Sequence, residues 1–173
     1  MPHPDRSAYP DRHAYPDRFY PVVDSVAWVA RLAALGVATI QLRAKELNDS
    51  QALQLVTNAL AAVSGTPTKL VVNDYWRAAI VAGAEHLHLG QEDLATADLV
   101  AIRDAGLTLG LSTHDDAELD TALRAGPDYI ALGPIFPTTL KSMRFFHSVI
   151  FAIPCGANRI DFKVVGKIGP SAM

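Results

Sequence analysis

Polar residues able to hold an anion or a metal recur along the chain, each group following a short apolar run. The first is Gln41, Arg43 and Lys45 in TIQLRAK. Spaced two apart, they would share one side of an extended strand otherwise made of Ile40 and Leu42. Two cations and an amide on a nearly buried strand are costly unless an anion meets them. The Arg fork and the Lys point charge suit phosphate oxygens. An ion pair with a neighbouring carboxylate is the alternative.

The next groups are Asn73 and Asp74 after KLVV, Gln91, Glu92 and Asp93 after HLHLG, and Ser112, Thr113 and His114 after TLGL. The last is Thr138, Thr139 and Lys141, after YIALGPIFP. Asp74 and Asp93 would close consecutive strands, bringing two hard oxygen ligands together. That donor set suits Mg²⁺, which takes one or two carboxylates and fills its shell with phosphate oxygens and water. Each Asp alone is equally a helix N-cap. His86 and His88 resemble a two-histidine metal pair, but hydrogen-bonded core histidines are the favoured reading. His114 has no clear role, and Cys155, without catalytic surroundings, reads as inert.

The elements that must position these groups alternate. Strands are expected at 19–24, 39–44, 69–74, 86–90, 108–113 and 129–135. Helices are expected at 25–36, with Ser25 as N-cap and Gly36 as stop, and at 49–65, 75–83, 96–106 and 115–126. Strands alternating with helices imply βαβ units and a parallel sheet. No G-x-G-x-x-G or P-loop pattern follows the first strand, which weighs against an open nucleotide-binding sheet. A (β/α)8 barrel is favoured, because barrel sites gather at the C-terminal strand ends, where the polar groups fall.

Composition sets the class. The chain has 173 residues, half of them apolar and 19% charged, with a net charge of −3. This is one ordinary globular domain, without the basic excess of a nucleic-acid or anionic-membrane binder. A single cysteine excludes an internal disulfide. No apolar run reaches membrane-spanning length, and the N-terminus lacks a signal-peptide stretch, so the expected compartment is the cytoplasm. Residues 1–18 repeat a phrase ending in Pro-Asp-Arg and are expected to form a disordered tail.

The motifs YPVVDS, TIQLRAKEL, VVNDYWRAAI, HLHLGQEDL, ADLVAIRDAGLTLGLSTHDD and YIALGPIFPTT occur in order over 19–141. Together they resemble the thiamine-phosphate synthase family. The resemblance implies a (β/α)8 TIM barrel and the condensation of a hydroxymethylpyrimidine diphosphate with a thiazole phosphate, giving thiamine phosphate and diphosphate. It implies that Gln41, Arg43 and Lys45 hold the diphosphate beside Asn73, and that Asp74 and Asp93 bind Mg²⁺. Ser112 would contact the pyrimidine substrate, Lys141 its diphosphate, and Thr138 and Thr139 the thiazole phosphate. The implied step is dissociative, with a pyrimidine-methyl cation trapped by the thiazole nitrogen, so no nucleophilic side chain is required. A homo-oligomer is compatible with this reading.

The resemblance fades at about Met143. Leu140 stands where the family has a threonine, and 142–173 reads as a divergent tail, which a single-base frameshift near Arg144 would explain. The strand starts are spaced by about 22 residues, so eight units would need about 176, more than follow residue 18. About six βα units are recognisable, and the expectation is an incomplete barrel with impaired activity. A non-catalytic remnant that still binds diphosphate and Mg²⁺ is the main alternative. The related thiazole tautomerases are disfavoured, because acting on a monophosphate needs no paired metal carboxylates.

Overall fold

In a computed structural model of the chain, residues 16–17 and 19–133 are described, with the backbones of two strands further on, 150–152 and 161–163. The elements alternate as β1 (Val22–Val23), α1 (Val26–Ala34), β2 (Thr39–Leu42), α2 (Asp49–Val63), β3 (Lys69–Asn73), α3 (Trp76–Ala82) and β4 (His86–Leu89). They continue as α4 (Gln91–Leu94), α5 (Leu99–Asp104), β5 (Thr108–Thr113), α6 (Asp116–Ala125) and β6 (Tyr129–Leu132). Strands β1 to β6 form one sheet in chain order, every neighbouring pair parallel. The last two strands, β7 (Ile150–Ala152) and β8 (Asp161–Lys163), pair antiparallel as a separate sheet.

Strand alternation divides the sheet into two faces. Ile40, Leu42, Leu70, Val72, Leu87, Leu89, Leu109, Leu111 and Ile130 are buried with apolar residues of the helices, among them Val29, Val56, Ala79, Ile102 and Ala122. Each fully buried Leu or Ile contributes about 1.5–3 kcal/mol, so this side holds the fold together. The intervening positions carry Thr39, Gln41, Val71, Asn73, His86, His88, Gly110, Ser112 and Tyr129, and this second face is largely polar.

The sheet curls around its polar face. Across a flat sheet, five inter-strand steps of about 4.8 Å would separate β1 from β6 by roughly 24 Å, beyond the joint reach of two tyrosines. Yet Tyr20, just before β1, and Tyr129, on β6, have hydroxyls 3.0 Å apart. The architecture is therefore an α/β half-barrel of six parallel strands.

Several boundaries differ from the sequence expectation for local reasons. The first strand shrinks to Val22–Val23, and β2 ends at Leu42 rather than Ala44. Ser25 occupies the N-cap position of α1 without a side-chain capping bond. The helix expected over 96–106 starts at Leu99, because the Asp98 carboxylate accepts from the backbone N–H groups of Val100 and Ala101 and so caps the first turn there. The unforeseen α4 turn follows directly on β4. Asn48 and Gln51 form a reciprocal capping box that starts α2. The expected tail over 1–18 lies outside the described residues apart from Pro16 and Asp17, as does all of 142–173 except the two short strands.

Candidate active site

The C-terminal ends of β2 to β5 converge on one rim. Gln41 is buried on the concave face and donates from Nε2 to the Tyr20 hydroxyl at 2.8 Å. The alternation expected through Lys45 stops early. Arg43 makes the last bond to β1, its N–H reaching the Val23 carbonyl at 2.7 Å, and beyond it the chain leaves the sheet. Arg43 and Lys45 are exposed, so the cost of burying cations on a strand does not arise for them. The ion pair left open by the sequence is present, but long: Lys45 Nζ lies 3.9 Å from Asp74 Oδ2, with the lysine side chain 64% exposed. Such a contact is weak.

Asp74 turns sharply out of β3. Its φ is +67°, in the left-handed region that Asp tolerates better than most residues, while its N–H still donates to the His88 carbonyl. Its carboxylate interacts with that of Asp93, in the first turn of α4. The two acids meet: burial, the Asp93 charge and a hydrogen bond to Asp93 push the Asp74 carboxyl up to about 6, while Lys45 and Arg43 pull it back only in part. Both acids line a cleft of about 390 Å³ together with Asp49, Tyr75, Trp76 and Arg77.

Asn73 is 4% exposed, and its Nδ2 has no hydrogen-bond partner. An orphaned buried donor is a cost that a bound anion would remove. Ser112, half-buried at the end of β5, lies with its Oγ 2.7 Å from His88 Nε2. His88 Nδ1 is 3.0 Å from the Tyr129 hydroxyl. With both ring nitrogens engaged, His88 is a core histidine, and burial, then the Arg43 charge, push it down to about 4, which keeps it neutral. His86 is also held down, chiefly by burial. His114 is tied to its own helix, its ring and backbone nitrogens both 2.7 Å from Glu118 Oε2. Thr138, Thr139, Lys141 and Cys155 lie outside the described residues.

Gln91, expected only as one of the polar groups after β4, donates to the Ser112 carbonyl at 2.7 Å, fastening α4 to the end of β5. Two participants were not foreseen: Tyr20 and Tyr129 bridge the concave face. Their positions just before the first strand and on the inward phase of the sixth were the available signal, but aromatic residues at strand positions ordinarily read as core.

Among the described residues no group of three or more His, Cys, Asp or Glu side chains is arranged to hold a metal. The donor set fits a hard divalent cation nonetheless. Two adjoining carboxylates, one with its proton affinity raised by burial and by the other, have only a long contact to an exposed lysine as counter-charge, and Mg²⁺ commonly takes two carboxylates and leaves the rest of its shell to ligand oxygens and water.

A family model described as thiamine monophosphate synthase matches residues 18–170. The thiamine-phosphate synthase of Rhizobium etli is 54% identical over 127 residues, 73% of this chain and 62% of that protein. The Klebsiella pneumoniae protein of the same name is 56% identical over 124 residues, 72% of this chain and 59% of that protein. The chain thus spans about three fifths of the length of these relatives. A solved thiamine phosphate pyrophosphorylase from Pyrococcus furiosus superposes with a TM-score of 0.60 at 25% identity, covering 69% of this chain and 61% of that one.

Proposed function

The chain belongs to the thiamine monophosphate synthase family, and on that premise we propose that it joins a hydroxymethylpyrimidine diphosphate to a thiazole phosphate, forming thiamine phosphate and releasing diphosphate. The observation that carries this reading is the Asp74–Asp93 acid pair beside Arg43 and Lys45 at the strand ends. In this reading the two acids hold Mg²⁺, which when bound neutralises charge on the departing diphosphate. Arg43 and Lys45, both exposed, bind the diphosphate oxygens. Asn73 offers its unpartnered Nδ2 to the same group, and Gln41 shapes the adjoining floor. Ser112 contacts the pyrimidine. Lys141 serves the diphosphate, and Thr138 and Thr139 the thiazole phosphate.

The half-barrel belongs, in this proposal, to a (β/α)8 barrel divided as a tail over 1–18, a barrel portion over 19–141 and a divergent stretch over 142–173. Among the described residues no helix is long and apolar enough to cross a membrane. A cytoplasmic enzyme acting on small molecules, as a homo-oligomer, is part of the same proposal. Divergence after Met143 falls where the thiazole phosphate would be held, so turnover is impaired. Incubation with both substrates and Mg²⁺ tests the proposal: thiamine phosphate should form above the no-enzyme background and vanish in Asp74→Ala. A second reading, a remnant that binds without turnover, rests on the curated matches covering only 73% and 72% of this chain. Calorimetric binding of the pyrimidine diphosphate with no thiazole-dependent product would establish it.

A further inference from the structure

Tyr20, Tyr129 and His88 have no part in the proposed chemistry, yet they link Gln41 to Ser112 in an unbroken line across the concave face. Gln41 Nε2 donates to the Tyr20 hydroxyl at 2.8 Å, and that oxygen lies 3.0 Å from the Tyr129 hydroxyl. The Tyr129 hydroxyl is 3.0 Å from His88 Nδ1, and His88 Nε2 is 2.7 Å from Ser112 Oγ. Tyr20 and Tyr129 are each 2% exposed and His88 4%.

Proton counting orders the line. Each hydroxyl carries one proton, and a neutral imidazole has one N–H. Tyr20 accepts from Gln41, so its own proton must go to another acceptor. Among the described residues the Tyr129 oxygen is the one in reach. Pointing that proton elsewhere would strand it in the interior, at a cost of about 1–3 kcal/mol. Tyr20 therefore donates to Tyr129, and Tyr129 donates to His88 Nδ1. His88 then keeps its proton on Nε2 and donates to Ser112 Oγ. The Ser112 hydroxyl proton is left over, at the C-terminal end of β5.

Gly110 belongs to the same device. A Cβ there would lie 2.1 Å from Tyr129 Cζ and 2.4 Å from its hydroxyl oxygen. The missing side chain is what lets the Tyr129 ring lie over β5 and touch both Tyr20 and His88.

We propose that this line is a proton-ordered relay that presents Ser112 as a hydrogen-bond donor to the ligand, with His88, Tyr129 and Tyr20 as positioning residues. The ligand atom facing Ser112 is then an acceptor, an unprotonated ring nitrogen or a phosphate oxygen. The ligand half of this inference rests on the proposed binding of the pyrimidine diphosphate; the order of the relay does not.

The test has two arms. In the full chain labelled with ¹⁵N-histidine, the long-range ¹H–¹⁵N spectrum reports the tautomer of each imidazole, and His88 is assigned by its absence in His88→Gln. The expected result is the Nε2–H tautomer at neutral pH, with Tyr129→Phe producing a mixture. An Nδ1–H tautomer in the wild type, as a reversed Gln41 amide would impose, overturns the relay. In the second arm, affinity for the pyrimidine diphosphate is measured with Mg²⁺ present. His88→Gln, whose amide can still donate toward Ser112, should stay within about twofold of wild type, while His88→Leu loses about fivefold. Equal losses in both variants overturn the positioning role. A wild type that shows the expected tautomer but binds no pyrimidine diphosphate defeats the proposed function and leaves the proton order standing.

Discussion

The concave face and the rim above it are both polar, and they treat their polar groups in opposite ways. On the concave face Gln41, Tyr20, Tyr129, His88 and Ser112 satisfy one another. The cost of burying them is recovered internally, and no charge is left over: His88 is held neutral, and burial pushes both tyrosines well above the ordinary phenol range. At the rim Asp74 and Asp93 face each other, with one long contact to an exposed lysine as partial relief. Apart from the Ser112 hydroxyl proton and the unpartnered Asn73 Nδ2 and His86 Nε2, the first region is satisfied without a ligand and serves as a floor. The second is destabilised as it stands, and a cation and an anion together would complete it. Binding sites are recognised by what is left unsatisfied, more than by how many polar groups they hold.

The sharpest way to break the comparison is to remove the unsatisfied charge. Asp74→Asn keeps a residue that tolerates the left-handed backbone and takes away the carboxylate. Thiamine phosphate formation should fall by about a hundredfold or more, since a positioned metal supplies several kcal/mol, while the melting temperature holds or rises. In the wild type Mg²⁺ should raise the melting temperature through binding to the folded state alone, and in Asp74→Asn it should not. A Mg²⁺ shift that survives the substitution would remove Asp74 from the metal site.

Acid titration separates the two regions by sign. Folded His88 takes a proton only near pH 4, against 6.5 for the free ring. Its contribution to stability is whole above pH 6.5, is lost as the pH falls, and is exhausted near pH 4, in total on the order of 3 kcal/mol. Asp74 works the other way. Its carboxyl is raised from 3.8 to about 6, so its penalty is absent below pH 3.8 and grows as the pH rises through 6. The two slopes oppose each other in the wild type. In Asp74→Asn the unfolding free energy from urea titration should therefore drop more steeply between pH 6.5 and 4, and identical slopes in the two proteins would contradict the assignment.

Gly110→Ala attacks the floor. With Tyr129 Cζ 2.1 Å from the new methyl position, the ring must move, and overpacking of this kind costs about 1–3 kcal/mol, read as a lower urea midpoint. The smallest effect is expected at Lys45. Replacing it with Met should change stability by less than about 1 kcal/mol, yet weaken diphosphate binding measured by calorimetry. Unchanged binding would restrict the anion site to Arg43 and Asn73.

The order of strands and helices was legible because a parallel α/β sheet writes itself as alternation: Leu87 and Leu89 pack toward helices while His86 and His88 face the other way. The rim was legible for the same reason, since strand ends deliver whatever follows them. Boundaries were less so. The Asp98 cap delays the start of its helix through two backbone bonds that composition does not display. The α4 turn is too short to carry a period, and the exit of the chain after Arg43 depends on where β1 stops pairing.

By itself the sequence determined the alternation, the parallel sheet, the family and the identity of the polar groups at each strand end, because these follow from spacing along the chain. Tertiary structure alone decided which of those groups are satisfied. Tyr20 and Tyr129 are 109 residues apart and meet only because the sheet curls. Asp93 raises the Asp74 carboxyl only because the fold sets the start of α4 beside the end of β3. Hydrogen bonds and charge interactions act over a few ångströms of space, and the distance along the chain carries no record of which partners that space will bring together.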